Sequence, residues 1–198
     1  MLLRHGDAGD ALASPERDAL RPLTSKGRKQ ARRAGKALGR MGLLPRDVWT
    51  SRLARASQTA REALDAARTA PRTTSTATLA PEAAPERIVR ALADTPPPPV
   101  PNDVKSPRNK AAAARPVGRG PRASIEPPPI VRWIVGHDPH LVRVIALATG
   151  APTAAIRLPK GAFAVLTFDG RGPAAGTGTL TELIDPDVLK AVAKHTKR

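Results

Sequence analysis

Two histidines stand where short apolar runs end, in Arg4-His5-Gly6 and in Gly136-His137. If those runs are strands of an open α/β sheet, their carboxyl ends are where ligands bind, and both imidazoles face one pocket. Arg4 and Arg55 add planar guanidinium forks that match phosphate oxygens two at a time. Such a set suits phosphoryl transfer. Imidazole is a capable nucleophile near neutral pH when one ring nitrogen is unprotonated and aimed at phosphorus. The N–P bond it forms is labile enough for water to break. The transfer itself demands mostly positioning and charge neutralisation, which arginines and a second, protonated histidine supply without a metal. Gly6 lets the backbone approach the phosphate closely.

Taken singly, each signal is weak. A lone histidine is as often structural as chemical, and Arg52 with Arg55 in so basic a chain reads first as a solvated face. The combination carries the reading, and it needs elements that bring its parts together. Residues 1–3 read as the end of a strand, short enough to point to a start a few residues upstream. Residues 7–23 are loop-like, with Gly9, Pro15 and Pro22. Thr24 is a helix N-cap, after which Ala31, Ala34, Leu38 and Met41 keep helical spacing until Gly42 and Pro45. Residues 47–50 resemble a strand, and Ala56, Ala60, Ala63, Leu64 and Ala67 mark the face of a second helix. A short helix follows Pro85, with Ile88, Val89 and Leu92 inward.

Residues 131–135 form a compact apolar strand that meets His137. Leu141, Val144, Ile145 and Ala148 continue as a helix to Gly150. Residues 162–168 suit a central strand buried on both faces, Asp169-Gly170 starts a turn, residues 177–184 are a last strand, and 185–197 a basic helix. Alternating strands and helices predict a three-layer α/β/α sandwich.

The 198 residues fit one domain spanning 1–198. The absence of cysteine excludes a disulfide framework and a thiolate nucleophile or metal site. With two Trp, two Phe and no Tyr, the core must be Leu, Ile, Val and Ala. Arg4 and His5 interrupt the first apolar run too soon for a signal peptide, and no run is long enough to cross a bilayer. The expectation is a soluble, cytoplasmic protein with no membrane partner.

The formal net charge of +16 admits three explanations. They are nucleic-acid binding, arginine-rich solvated helix faces, and a field that draws in phosphorylated substrates. Residues 16–72 hold fifteen Lys/Arg against five Asp/Glu, without the interleaved aromatics of a base-stacking surface. Nucleic acid is therefore not expected as the main partner. Residues 94–129, with TPPPPVPN, NKAAAARPVGRGPR and EPPP, bury too little apolar surface to offset their ordering entropy. They read as a disordered insertion, an inert expansion rather than a tether for an acidic partner.

Five segments, LLRHGDA (2–8), RPLTSKGRKQARRAGKAL (21–38), TSRLARASQTA (50–60), VGHDPHL (135–141) and LPKGAFAVLTFDG (158–170), together resemble the histidine phosphatase superfamily. The resemblance implies the phosphoglycerate mutase-like fold, and the wording is most similar to the short SixA-type branch, the phosphohistidine phosphatases. It implies that His5 is the nucleophile that becomes phosphorylated, that Arg4, Arg55 and His137 bind the phosphate, and that no cofactor or metal takes part. Thr24 and Gly27 belong to the motif as structural residues.

Larger members of that superfamily use a carboxylate to protonate the leaving oxygen. Here Asp7 and Glu82 are candidates, with Glu86 and Asp138 nearby, and none is distinctive. Arg21 either lines the pocket rim or simply precedes Pro22. An acid-poor site suits an imidazole leaving group, which departs already protonated, better than an alkyl phosphate. A phosphorylated protein carrying phosphohistidine is thus the preferred substrate. A small phosphorylated molecule, or a non-catalytic basic phosphate-binding module, are the alternatives. His140, three residues after His137, reads as a helix-surface residue and not a metal ligand, because no carboxylate or thiolate cluster accompanies it.

Overall fold

The computed structural model describes residues 1–95, 131–168 and 172–195. Its six strands are β1 (Leu2–Arg4), β2 (Asp47–Ser51), β3 (Arg72–Thr76), β4 (Arg132–Gly136), β5 (Phe163–Phe168) and β6 (Gly178–Ile184). They form one sheet in the order β3-β2-β4-β1-β5-β6. The first four in that order run parallel, while β5 and β6 are antiparallel to their neighbours. The helices are α1 (Pro15–Ala19), α2 (Ser25–Arg40), α3 (Ala54–Ala67), α4 (Pro85–Asp94), α5 (His140–Thr149) and α6 (Pro186–His195).

Successive strand residues turn to opposite faces, and each face buries its own core. Leu3, Val48 and Val135 pack with Ala34 and Leu38 of α2 and Ala60 and Ala63 of α3. Leu2, Trp49 and Ile134 turn the other way, onto Ile88 of α4 and Leu141 and Ile145 of α5. This is the α/β/α sandwich expected from the alternation of elements.

Helix α2 begins where Thr24 predicts: its hydroxyl accepts the Gly27 N–H at 3.1 Å. Two glycines then set its seat. A Cβ on Gly27 would collide with the backbone of Asp7, and one on Gly35 with the carbonyl of Ala63, so α2 lies backbone-close to both the His5 loop and α3.

Three local expectations change. The loop of residues 7–23 contains α1, started by Ser14, whose hydroxyl accepts the Arg17 N–H, and by Pro15 at its first turn. β3 is an additional strand with no apolar signature, because it is an edge strand pairing only with β2. β5 is buried at Phe163 and Ala164 but exposed at Thr167, since the sheet outgrows its helical cover toward β6. Asp94 closes α4 and Thr95 follows it; the rest of the expected 94–129 insertion lies outside the described residues, as does the Asp169-Gly170 turn. Among the described residues no helix is long and apolar enough to cross a membrane.

The parallel pairing of β1 with β4 aligns Arg4 with Gly136. One residue further on, at the carboxyl ends of two adjacent strands, stand His5 and His137.

Candidate active site

The two imidazoles lie with ring centroids 5.0 Å apart and planes tilted by 56°. His5 leaves the sheet under tight restraint. Its N–H donates to the Gly136 carbonyl at 3.0 Å, and its own carbonyl accepts the Gly161 N–H at 3.1 Å. The ring nitrogen Nδ1 sits 2.7 Å from the Gly6 carbonyl oxygen. A carbonyl only accepts, so Nδ1 carries the proton and Nε2 keeps its lone pair. Burial, with smaller contributions from Arg55, Arg4 and Lys160, pushes the His5 pKa down to about 4. Near neutral pH the ring is uncharged.

His137 is fully buried, and neither of its ring nitrogens has a hydrogen-bond partner among the described residues. The expectation of a protonated second histidine needs correction. Burial first, then the neighbouring His5 and Arg55, push its pKa down to about 3, so the protein alone holds it neutral. An anion placed against it reverses that balance, because a nearby negative charge favours the imidazolium.

The arginines converge from two directions. Arg4, on β1, donates Nη1 to the Leu158 carbonyl at 2.7 Å and meets the Asp138 carboxylate at 3.4 Å. Arg55, on the first turn of α3, is buried rather than the solvated residue its basic surroundings suggest. The Nε atoms of both are buried without a partner. Four orphaned nitrogens, Nε of each arginine and both of His137, thus gather at one strand end beside a neutral imidazole. Leaving such groups unpaired is costly, and a phosphoryl group supplies acceptors for the donors among them.

Two residues that the sequence reading missed hold this arrangement. Thr59, on α3 and wholly buried, accepts the Gly6 N–H at 3.1 Å and donates to the Arg55 carbonyl at 2.7 Å. One hydroxyl therefore fixes the His5 loop against the helix turn that carries Arg55. Asp18, on α1, holds the guanidinium of Arg55. The signal for Thr59 was its place four residues after Arg55, one helical turn on.

The remaining candidates are committed elsewhere. Arg21 donates to the Ala8 and Gly9 carbonyls at 2.7 and 2.8 Å and to Asp18, so it braces the loop that carries Asp18. Asp7 accepts from Thr24 at 2.8 Å and from Lys160 at 3.3 Å. The Thr24 hydrogen bond, ahead of Lys160, holds its pKa below the usual carboxylate range, which makes it a poor proton donor. Glu82 and Glu86 are exposed.

His140 departs from expectation. It is wholly buried at the first turn of α5, with both ring nitrogens unpartnered, because that helix lies flat on the sheet. Burial, then Arg143, lowers its pKa, with Glu82 opposing them. A cavity of about 610 Å³ is apolar and lies at the opposite end of the sheet, lined by Met1, Val131 and Arg132 at the starts of β1 and β4.

Residues 1–79 match the model of the histidine phosphatase superfamily (branch 1). The match takes in Arg4, His5 and Arg55 and stops short of His137. No curated protein matches the chain by sequence. Among solved structures, the protein histidine phosphatase SixA complexed with tungstate is similar at a TM-score of 0.68 and 21% identity, covering 95% of this chain and 97% of that one. A structure named for phosphohistidine phosphatase SixA from Agrobacterium tumefaciens gives 0.63 and 18%, covering 93% and 96%. Mycobacterial glucosyl-3-phosphoglycerate phosphatase in complex with VO3 gives 0.54 and 16%, covering 91% and 96%. At these identities the likeness shows the fold, and it bears out the sandwich. The superfamily resemblance read from the motifs is borne out by the match over residues 1–79.

Proposed function

We propose that the chain hydrolyses a phosphoryl group through a covalent intermediate on His5, with protein phosphohistidine as its substrate. One observation carries the reading: the hydrogen bond from His5 Nδ1 to the Gly6 carbonyl, 2.7 Å long, commits the proton to the far side of the ring and leaves Nε2 to attack.

In the first step the Nε2 lone pair forms a bond to phosphorus as the bond to the leaving group breaks. Charge on the phosphoryl oxygens meets Arg4, Arg55 and His137, and its arrival favours the imidazolium form of His137. A substrate phosphoimidazole protonated on its other ring nitrogen leaves as neutral imidazole and needs no acid. That suits a site where Asp7 is held as a carboxylate by Thr24 and Lys160. In the second step water attacks phosphorus, the Nε2–P bond breaks, and dihydrogen phosphate leaves with His5 neutral again.

The test is hydrolysis of a phosphohistidine-carrying protein beside an aryl phosphate, for wild type and His5→Ala, with a chelator present. Phosphohistidine turnover that vanishes with His5 supports the proposal. Turnover of the aryl phosphate alone moves the substrate to a small phosphoester. No turnover of either favours a phosphate-binding module.

A further inference from the structure

Resting on the phosphohistidine reading, we infer that the outward face of α2 is a docking surface for an acidic segment of the substrate protein. The helix carries seven Lys/Arg and no Asp/Glu. Five of them, Lys26, Lys29, Arg33, Lys36 and Arg40, fall at alternating spacings of three and four residues. That spacing places them in one stripe along the helix, opposite the buried Ala31, Ala34 and Leu38. The stripe runs roughly 21 Å at the rise of an α-helix.

The other two cations have structural work: Arg28 and Arg32 pair with Glu62 of α3 at 3.3 and 2.6 Å. Lys29, Arg33 and Lys36 have no carboxylate partner among the described residues. Lys26 and Arg28 fall in the first turn, where the positive end of the helix dipole disfavours cations, and like charges three and four residues apart along the stripe repel. A stripe that opposes the helix it sits on points to a use outside the fold.

Its place indicates the use. Gly27 seats the first turn of α2 against the Gly6-Asp7 backbone, and Gln30 accepts the Asp7 N–H at 2.8 Å, so the stripe starts at the mouth of the pocket. A small phosphorylated molecule would fill the pocket without reaching along the helix. A protein whose phosphohistidine enters the pocket would lie along the stripe, and acidic residues flanking that histidine would meet Lys29, Arg33 and Lys36. A nucleic acid is the weaker occupant, because Trp49, Trp133 and Phe163 are buried and offer no stacking surface.

The experiment uses two synthetic peptides of about twelve residues, long enough when extended to span the helix, each with one central phosphohistidine. One has Asp and Glu in its flanks, the other Asn and Gln. Phosphoramidate serves as the small substrate, and Lys29→Glu/Arg33→Glu/Lys36→Glu as the variant. Wild type should favour the acidic peptide by about tenfold in kcat/KM at low salt, a preference that fades as salt screens exposed charge. The variant should lose that preference while cleaving phosphoramidate and the neutral peptide within about twofold of wild type.

Equal cleavage of the two peptides by wild type, or an acidic preference that survives in the variant, overturns the inference. So does duplex-oligonucleotide binding that the variant loses while its peptide kinetics stay unchanged. Phosphoramidate turnover with neither peptide cleaved overturns the phosphohistidine-protein reading and the docking surface together. Failure of this inference alone leaves peptide turnover intact.

Discussion

Asp18 grips one nitrogen of Arg55 twice: Nη1 lies 2.9 Å from its carbonyl oxygen and 3.1 Å from its carboxylate. The same carboxylate accepts the Leu12 N–H at 3.0 Å and Nε of Arg21 at 2.8 Å. Those two hydrogen bonds, Leu12 first, bring its pKa down to about 2, so it stays charged. A residue of the loop region thus aims Arg55, the proposed phosphate ligand, from behind. Asp18→Asn keeps the carbonyl contact and removes the charge. We expect kcat/KM to fall by about tenfold, the usual cost of losing a supporting contact behind a site. Inhibition by orthovanadate should weaken in step; unchanged inhibition would show that Arg55 is aimed without Asp18.

The covalent route predicts a trapped intermediate. Brief mixing with labelled phosphoramidate, then alkaline quench, should leave acid-labile phosphate on wild type and none on His5→Ala. Steady-state turnover of that variant should drop by about a thousandfold or more. Retained turnover would rule out His5 as the nucleophile.

Thr59 offers a test of positioning. Thr59→Ser keeps both hydrogen bonds and should behave as wild type. Thr59→Val leaves the Gly6 N–H buried and unpaired, at a cost of about 1–3 kcal/mol in stability. Because the same hydroxyl fixes His5 relative to Arg55, Val should also lower kcat more than it raises KM, whereas a purely structural role would leave kcat per folded molecule unchanged.

Acid should destabilise the fold in a defined window. The ordinary histidine value is 6.5, and in the folded chain His5 and His137 are lowered to about 4 and about 3. Between those limits the unfolded chain binds protons that the folded one does not, so stability rises with pH there and falls on acidification. Tm followed from pH 7 to 4.5 should decline, and His5→Gln/His137→Gln should flatten the decline. Saturating orthophosphate, by favouring protonated His137, should flatten it as well. A Tm that climbs on acidification would contradict the assignment.

The strands and helices that carry the site were legible because their apolar periods are clean: Ala31, Ala34 and Leu38 on α2, and the compact run of β4. Thr24 announced its own cap. β3 was not legible, since an edge strand reading RTTST has no buried face to pattern. Arg4, His5, Arg55 and His137 could be named from motif and strand-end logic. Asp18 could not, because its role depends on a loop folding back across α3, and nothing in local spacing encodes that. His140 was misplaced for a related reason. Three residues from His137 on a helix implies a neighbouring face, and whether that face meets solvent is decided by the packing of α5 on the sheet.

The mutual approach of Gly6 and Gly27 has one more consequence. Neither position has room for a Cβ, so main-chain contact limits how closely the His5 loop and α2 approach, and Thr24 and Gln30 tie the two together. Exchange of Lys29, Arg33 and Lys36, which take no part in those contacts, should therefore leave His5 in place. With His5 as the proposed nucleophile and the outward stripe as the proposed docking surface, recognition and reaction would sit on separable parts of the scaffold, which surface substitution alone could retarget.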